Sequence, residues 1–140
     1  MLILDTDHLS EIDRGSALAA SLMDRLARID DRVSTTIVCV EEQLRGMLAL
    51  LRTVPEVVAA VPSYLRLQRF IADLSDWDIL PLTEPAALQF ERLRREGIRV
   101  GTMDLKIASI ALVNNATLLS RNLRDFQKIP NLKVENWLDR

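Results

Sequence analysis

The sequence predicts an α/β fold, a mostly parallel sheet of four to five strands between two layers of helices, with a helical hairpin added to it. Three observations predict it. Short apolar, β-branched runs alternate with longer stretches of helical periodicity, an order that requires crossover connections and hence parallel strands. Acid or amide oxygens stand where apolar elements begin or end: Asp5 after Leu2 to Leu4, Glu41 and Glu42 after Ile37 to Val40, Asp104 before Leu105 to Val113, and Asn122 with Asp125 after Thr117 to Leu119. Open α/β sheets gather ligands at such strand ends. Finally, 140 residues with 49% hydrophobic and 27% charged side chains suit one globular core, so residues 1–140 are expected to form a single domain.

Residues 2–5 read as a buried strand, followed by a helix capped by Asp7 or Thr6 that runs to Arg14 and stops at Gly15. Ser16 caps the next helix, in which Leu18, Leu22, Leu26 and Ile29 recur at helical spacing up to Asp30 and Asp31. Val33 to Ile37 is β-branched and gives the second strand. Helical patterns then run from Val38 to Leu51 and, after the Thr53-Val54-Pro55 break, to about Leu74 with a kink expected at Pro62; these two form the hairpin. Asp78 to Leu82 is the third strand, and Thr83 caps a helix ended by Gly97. A buried helix capped by Thr102 carries Asp104 in its first turn and continues to Asn114-Asn115. Thr117 to Ser120 is the fourth strand, Val134 marks a short fifth, and Trp137 packs as an anchor.

Composition narrows the function. No apolar run approaches a bilayer span, and Leu2 to Leu4 lacks a basic leader and a cleavage site, so a cytoplasmic protein without membrane partners is expected. Lone Cys39 sits in an apolar context and reads as core. The single His8 excludes most histidine zinc sites and reads as a partly exposed residue of the first helix. Phosphate-cradling glycine loops and a G-x-S-x-G nucleophile turn are both missing. The net charge of -2 gives no global pull toward nucleic acid. Locally, Arg92, Arg94, Arg95 and Arg99 cluster on one helix and its exit, and Arg121, Arg124 and Lys128 flank Asn122 and Asp125. Singly each is a solvated side chain; together they would rim an acidic pocket that receives a polyanion.

Asp104 shares its helix face with Ala108 and Ala111, a small-residue face suited to close packing on the sheet. Compensation of the helix dipole would explain Asp104 alone, but not Asp5 as well. Glu42 shares a face with Gly46 and Ala49, and Glu41 with Leu44 and Leu48; the smaller residues favour Glu42 as the inward acid. Asp5, Glu42 and Asp104, with a neighbouring amide, supply hard oxygens for one or two Mg²⁺ or Mn²⁺ ions. Such ions activate water and stabilise a phosphate under attack, which makes phosphodiester hydrolysis the natural chemistry.

The segments LILDTDHLS, E-Q-L-R-G from Glu42, G-T-M-D-L-K-I-A-S-I-A from Gly101 and L-L-S-R-N-L-R-D-F from Leu118 resemble, in order, the signatures of PIN-domain ribonucleases, and more narrowly the VapC toxins of bacterial toxin-antitoxin pairs. The resemblance covers essentially the whole chain and implies a PIN-like three-layer α/β/α sandwich. It puts the family's acids on Asp5, Glu42 and Asp104, and its fourth position, where members carry Asp or Asn, on Asn122. An amide there would weaken one metal subsite; Asp125 either compensates or caps the following turn. The resemblance further implies a Mg²⁺-dependent endoribonuclease cutting structured RNA such as tRNA, a homodimer, and inhibition by a VapB-like antitoxin whose amphipathic helix docks on the hairpin. Two rivals share the strand-end acids. A haloacid-dehalogenase-like phosphatase would use Asp5-Thr6-Asp7 but wants paired acids late in the chain, where Ser120-Arg121-Asn122 stands; a receiver-like signalling domain wants an aspartate ending a central strand, where Val38 and Thr83 stand.

Overall fold

The computed structural model describes residues 1–139. Five short strands, β1 (Leu2–Leu4), β2 (Val33–Thr36), β3 (Ile79–Leu80), β4 (Thr117–Leu119) and β5 (Lys133–Glu135), form one sheet in the order β3-β2-β1-β4-β5. Every pairing is parallel. β1 is central, with Leu4 level with Thr35 on one side and Leu119 on the other. The chain winds outward through β2 and β3 and returns across β1 to β4 and β5. The strand order therefore reverses between β1 and β4, and that crevice is where an open α/β sheet receives ligands.

Among the described residues seven α-helices connect the strands: α1 (Thr6–Arg14), α2 (Ala17–Ala27), α3 (Ile37–Thr53), α4 (Val57–Asp73), α5 (Glu84–Arg95), α6 (Thr102–Val113) and α7 (Leu123–Phe126). Side chains alternate across the sheet as the pleat requires. Ile3 and Leu118 pack with α5 and α6 through Leu93, Leu105, Ile107 and Ile110, whereas Leu2, Leu4 and Leu119 pack on the opposite face against Leu22 and Leu26 of α2. This is the expected three-layer sandwich. Each large apolar side chain withdrawn from water contributes about 1.5–3 kcal/mol, and α6, apolar nearly all round, is held by both the sheet and α5. A third cluster, Leu9, Val40, Met47 and Phe70, fastens the α3–α4 hairpin to α1. A polar tie reinforces it: Arg66 Nε donates to Asp13 Oδ2 at 2.9 Å.

Several local expectations shift. Asp5, rather than Thr6 or Asp7, is the N-cap of α1, because the strand ends one residue earlier and its carboxylate accepts from the Thr6 N–H. Thr36 ends β2 and caps α3, which starts at Ile37 instead of Val38. Pro81 has no N–H to offer the ladder, and β3 is cut to two residues. The N-cap of α6 is Gly101, with Thr102 as the first helical residue. Pro62 lies inside α4, which continues through it. Gly15 and Gly97 end α1 and α5 with φ of 63° and 82°, the left-handed conformation that glycine adopts without a Cβ penalty. The short helix α7 stands where the sequence suggests only a turn. Among the described residues no helix is long and apolar enough to cross a membrane.

Candidate active site

Asp5 leaves β1 at the reversal point, 5% exposed. Its Oδ1 accepts from the Thr6 N–H at 2.8 Å, and its Oδ2 accepts from Ser120 Oγ at 2.6 Å. Ser120 follows β4, so the hydroxyl joins the two strands that flank the crevice. It also accepts from the Asn122 N–H at 3.0 Å, fixing the turn that presents Asn122. Cys39 lies beneath, its Sγ 3.9 Å from Asp5 Oδ1, fully buried with its thiol pushed up to about 12 by burial and by the Asp5 charge. It is the inert core residue expected.

Glu42 approaches from the second turn of α3, held by Thr6 Oγ1 donating to its Oε1 at 2.8 Å. Asp104 enters from the first turn of α6, and Asn122 Nδ2 donates to its Oδ2 at 3.1 Å and to Asp125 Oδ2 at 3.2 Å. The four predicted residues thus meet at the carboxyl edge, carried by β1, α3, α6 and the β4–α7 turn. Asp125 also accepts from Lys128 at 2.9 Å and serves the turn as a structural partner of Asn122.

The carboxylates repel one another. Burial, then the charges of Asp7 and Asp104, push the Asp5 carboxyl up to about 7. Glu42 is raised by burial and by the charges of Asp104, Glu41 and Asp7; Asp104 is raised by burial, Asp125 and Asp7. All three therefore bind protons more tightly than free carboxylates, as burial and mutual repulsion in a crowded acid cluster require. The donors are all hard oxygens, yet among the described residues no three acids, histidines or cysteines close into a ready-made cage.

Asp7, which the sequence offers only as a helix cap or as part of the rival phosphatase motif, also stands at this edge. Asp7 accepts from the Arg121 N–H at 2.8 Å and lies 2.5 Å from His8 Nδ1. Burial raises its carboxyl, but the His8 and Arg121 hydrogen bonds outweigh it and hold the group below the usual range. His8 is fully buried rather than partly exposed. Its Nε2 receives the Trp137 N–H at 3.3 Å, and a backbone N–H can only donate, so Nδ1 carries the proton directed at Asp7. The D-x-D-H spacing was the available signal for Asp7; nothing local announces a partner 129 positions away.

Glu42 reaches the site although the rest of the face it shares is not inward. Gly46 and Ala49 are exposed, and α3 packs through Val40, Gln43 and Met47. The flanking arginines also differ from a uniform cationic rim. Arg121 pairs with Glu11 and Asp139, Arg92 faces Glu96 at 3.8 Å, and Arg94 turns back onto its own loop.

The model of the PIN domain matches residues 2–132, nearly the whole chain. The chain belongs to the PIN-domain family. Among curated proteins, this PIN domain is 40% identical over 68 residues to Ribonuclease VapC2 of Rickettsia felis, covering 46% of the chain and 51% of that protein. It is 31% identical over 68 residues to the tRNA(fMet)-specific endonuclease VapC of Salmonella typhimurium, covering 46% and 52%. The matches span about half the length of these relatives. Its fold also matches a chain of a toxin-antitoxin complex from Klebsiella pneumoniae, with a TM-score of 0.69, 23% identity, and 98% of both chains covered. The phosphatase and receiver readings find no support in a PIN domain.

Proposed function

We propose that this PIN domain is a metal-dependent endoribonuclease that hydrolyses phosphodiester bonds of RNA, tRNA or another structured RNA, as the toxin of a VapBC-type pair. The observation that carries the reading is the meeting of Asp5, Glu42 and Asp104 at the β1/β4 crevice, each with raised proton affinity and none in an ion pair with a cation among the described residues. Such a donor set fits Mg²⁺, with Mn²⁺ as a substitute. It is oxygen-only and electrostatically frustrated, and its openness suits an ion that keeps several of its waters. Asp5, Glu42 and Asp104 would hold the metal, with Asn122 as a neutral fourth corner.

A cation bound there would supply acidified water and offset the charge on the attacked phosphate. The chain's own residues do the rest. Thr6 and Ser120 fix Glu42 and Asp5 by hydrogen bonds, and Glu42, half-buried with raised proton affinity, is suited to take a proton from the attacking water. Lys106 and Arg124, close in sequence to Asp104 and Asn122, form no ion pair among the described residues and leave cationic groups for the RNA backbone. Similarity to proteins named as ribonuclease and tRNA endonuclease supports the substrate class.

The antitoxin partner follows from the kinship with VapC proteins and from α4. Val57, Val58, Val61 and Leu65 are exposed at 85%, 83%, 51% and 57% and lie at helical spacing, a face ready for an amphipathic helix. A cytoplasmic homodimer is part of the same reading. The decisive experiment incubates purified protein with total tRNA in Mg²⁺, in Mn²⁺ and in chelator. Cleavage should require the cation and vanish in Asp5→Ala and Asp104→Ala; metal-independent cleavage, or full activity in Asp5→Ala, overturns the reading.

A further inference from the structure

The geometry points to Arg94 as a positioning residue that sets the placement of Asp104 through the α5–α6 loop, an inference that rests on the nuclease reading of the site. Arg94 belongs to the arginine group that the sequence offered to a polyanion, but its guanidinium, on the surface, folds back over the loop that follows its own helix. Nη1 donates to the carbonyls of Ile98 at 3.2 Å and Val100 at 2.8 Å, and Nη2 donates to Thr102 Oγ1 at 3.3 Å. The guanidinium carbon sits 5.4 Å from the centre of the Phe90 ring, one turn back on α5. A planar fork of donors on an aromatic platform thus bridges three alternate residues of a segment that has no strand partner.

What the fork holds is the approach to Asp104. α6 begins without a capping side chain, since Gly101 is its N-cap. The first turn, with Asp104 as its third residue, therefore inherits its position from the loop before it. Helix stability alone would not select this arrangement, because a cation beside a helix N-terminus opposes the macrodipole. The tether is mechanical, from guanidinium to loop carbonyls to the first turn of α6. Second-sphere contacts of this type govern how well a metal-ligand set is assembled.

The test compares the wild type with Arg94→Ala and Arg94→Lys, using as the control Arg92→Ala, whose guanidinium faces Glu96 and not the loop. In metal-free protein, amide hydrogen exchange at residues 102–105 should quicken in Arg94→Ala. Mn²⁺ affinity, titrated calorimetrically well below the unfolding temperature, should weaken about 10-fold. kcat for RNA should fall with it while KM stays near the wild-type value. Lysine keeps the charge and the stem on Phe90 but cannot reach three acceptors, so Arg94→Lys should resemble the alanine variant, and it serves alone if that variant does not fold. Unchanged exchange and Mn²⁺ affinity in either variant, even with a lowered Tm, overturn the inference, as does full recovery by lysine. A wild type that neither binds Mn²⁺ nor cuts RNA overturns the nuclease reading instead, and the metal-free exchange still decides the tether.

Discussion

Replacing Asp5 by Asn should change how the stability of the metal-free protein depends on pH. The unfolded chain ionises Asp5 at its ordinary value of 3.8, whereas in the fold the carboxyl is pushed up to about 7. The fold therefore favours the protonated form. The Asp5 contribution to stability is fully present below pH 3.8, declines as pH rises, and is lost once pH passes the folded value. A displacement from 3.8 to about 7, at about 1.4 kcal/mol per factor of ten in proton affinity, amounts to about 4 kcal/mol. Of this, about 3 kcal/mol falls between about pH 5 and about pH 8. Asp5→Asn keeps the shape and the capping acceptor but cannot ionise. Glu42 and Asp104, raised in the same direction, are common to both proteins, and the lowered groups Asp7, Asp78 and Asp125 act at the acid end. Urea unfolding of chelated protein at both pH values measures the difference. With a slope of about 2 kcal/mol per molar urea, the wild-type midpoint should fall about 1.5 M further than that of Asp5→Asn on going to alkaline pH. Saturating Mg²⁺ should restore most of it in the wild type. Parallel pH profiles for the two proteins would refute the picture of Asp5 as a buried acid under repulsion.

Two further outcomes follow from the same geometry. Asn122→Asp places a third charge between Asp104 and Asp125 and removes the amide donors that hold both. Calorimetric titration should show tighter Mn²⁺ binding, while the metal-free protein loses about 1–3 kcal/mol in urea unfolding; unchanged affinity would place this side chain outside the ion's reach. Arg66→Ala leaves the Asp13 side chain, 6% exposed, without its cation. A loss of about 2 kcal/mol and faster hydrogen exchange along α4 are expected, because this pair ties the hairpin to α1.

The legible parts of the molecule are those whose signals are local. Strand ends that meet acids, helical periodicity and glycine stops sit within a few residues of each other, so the β/α alternation and the placement of Asp5 and Asp104 could be read from the chain. Glu42 was selected by a packing argument that the fold does not use: small residues suggested a close inward face, but Gly46 and Ala49 face away and α3 is seated through Val40, Gln43 and Met47. Periodicity says which residues share a face, not which face is inside. His8 shows the other limit. Its burial depends on the backbone N–H of Trp137, a contact made by the whole topology and invisible in its neighbours. The arginines carry the same lesson, since charge clustered in sequence was dispersed among Glu11, Asp139, Glu96 and loop carbonyls once the chain folded.

The hydroxyl of Ser120 reaches Asp5 across 115 positions of chain. Synthesis runs from Asp5 toward Ser120, and β4 must pair with the already central β1 before that contact exists. When Asp104 has just been made, Asp5, Glu42 and Asp104 are all present in the chain, but β4 and the turn carrying Asn122 are still to come. The crevice is thus completed by a strand made after every one of the three acids. In the order of synthesis, the crevice between β1 and β4 does not exist until that strand has paired.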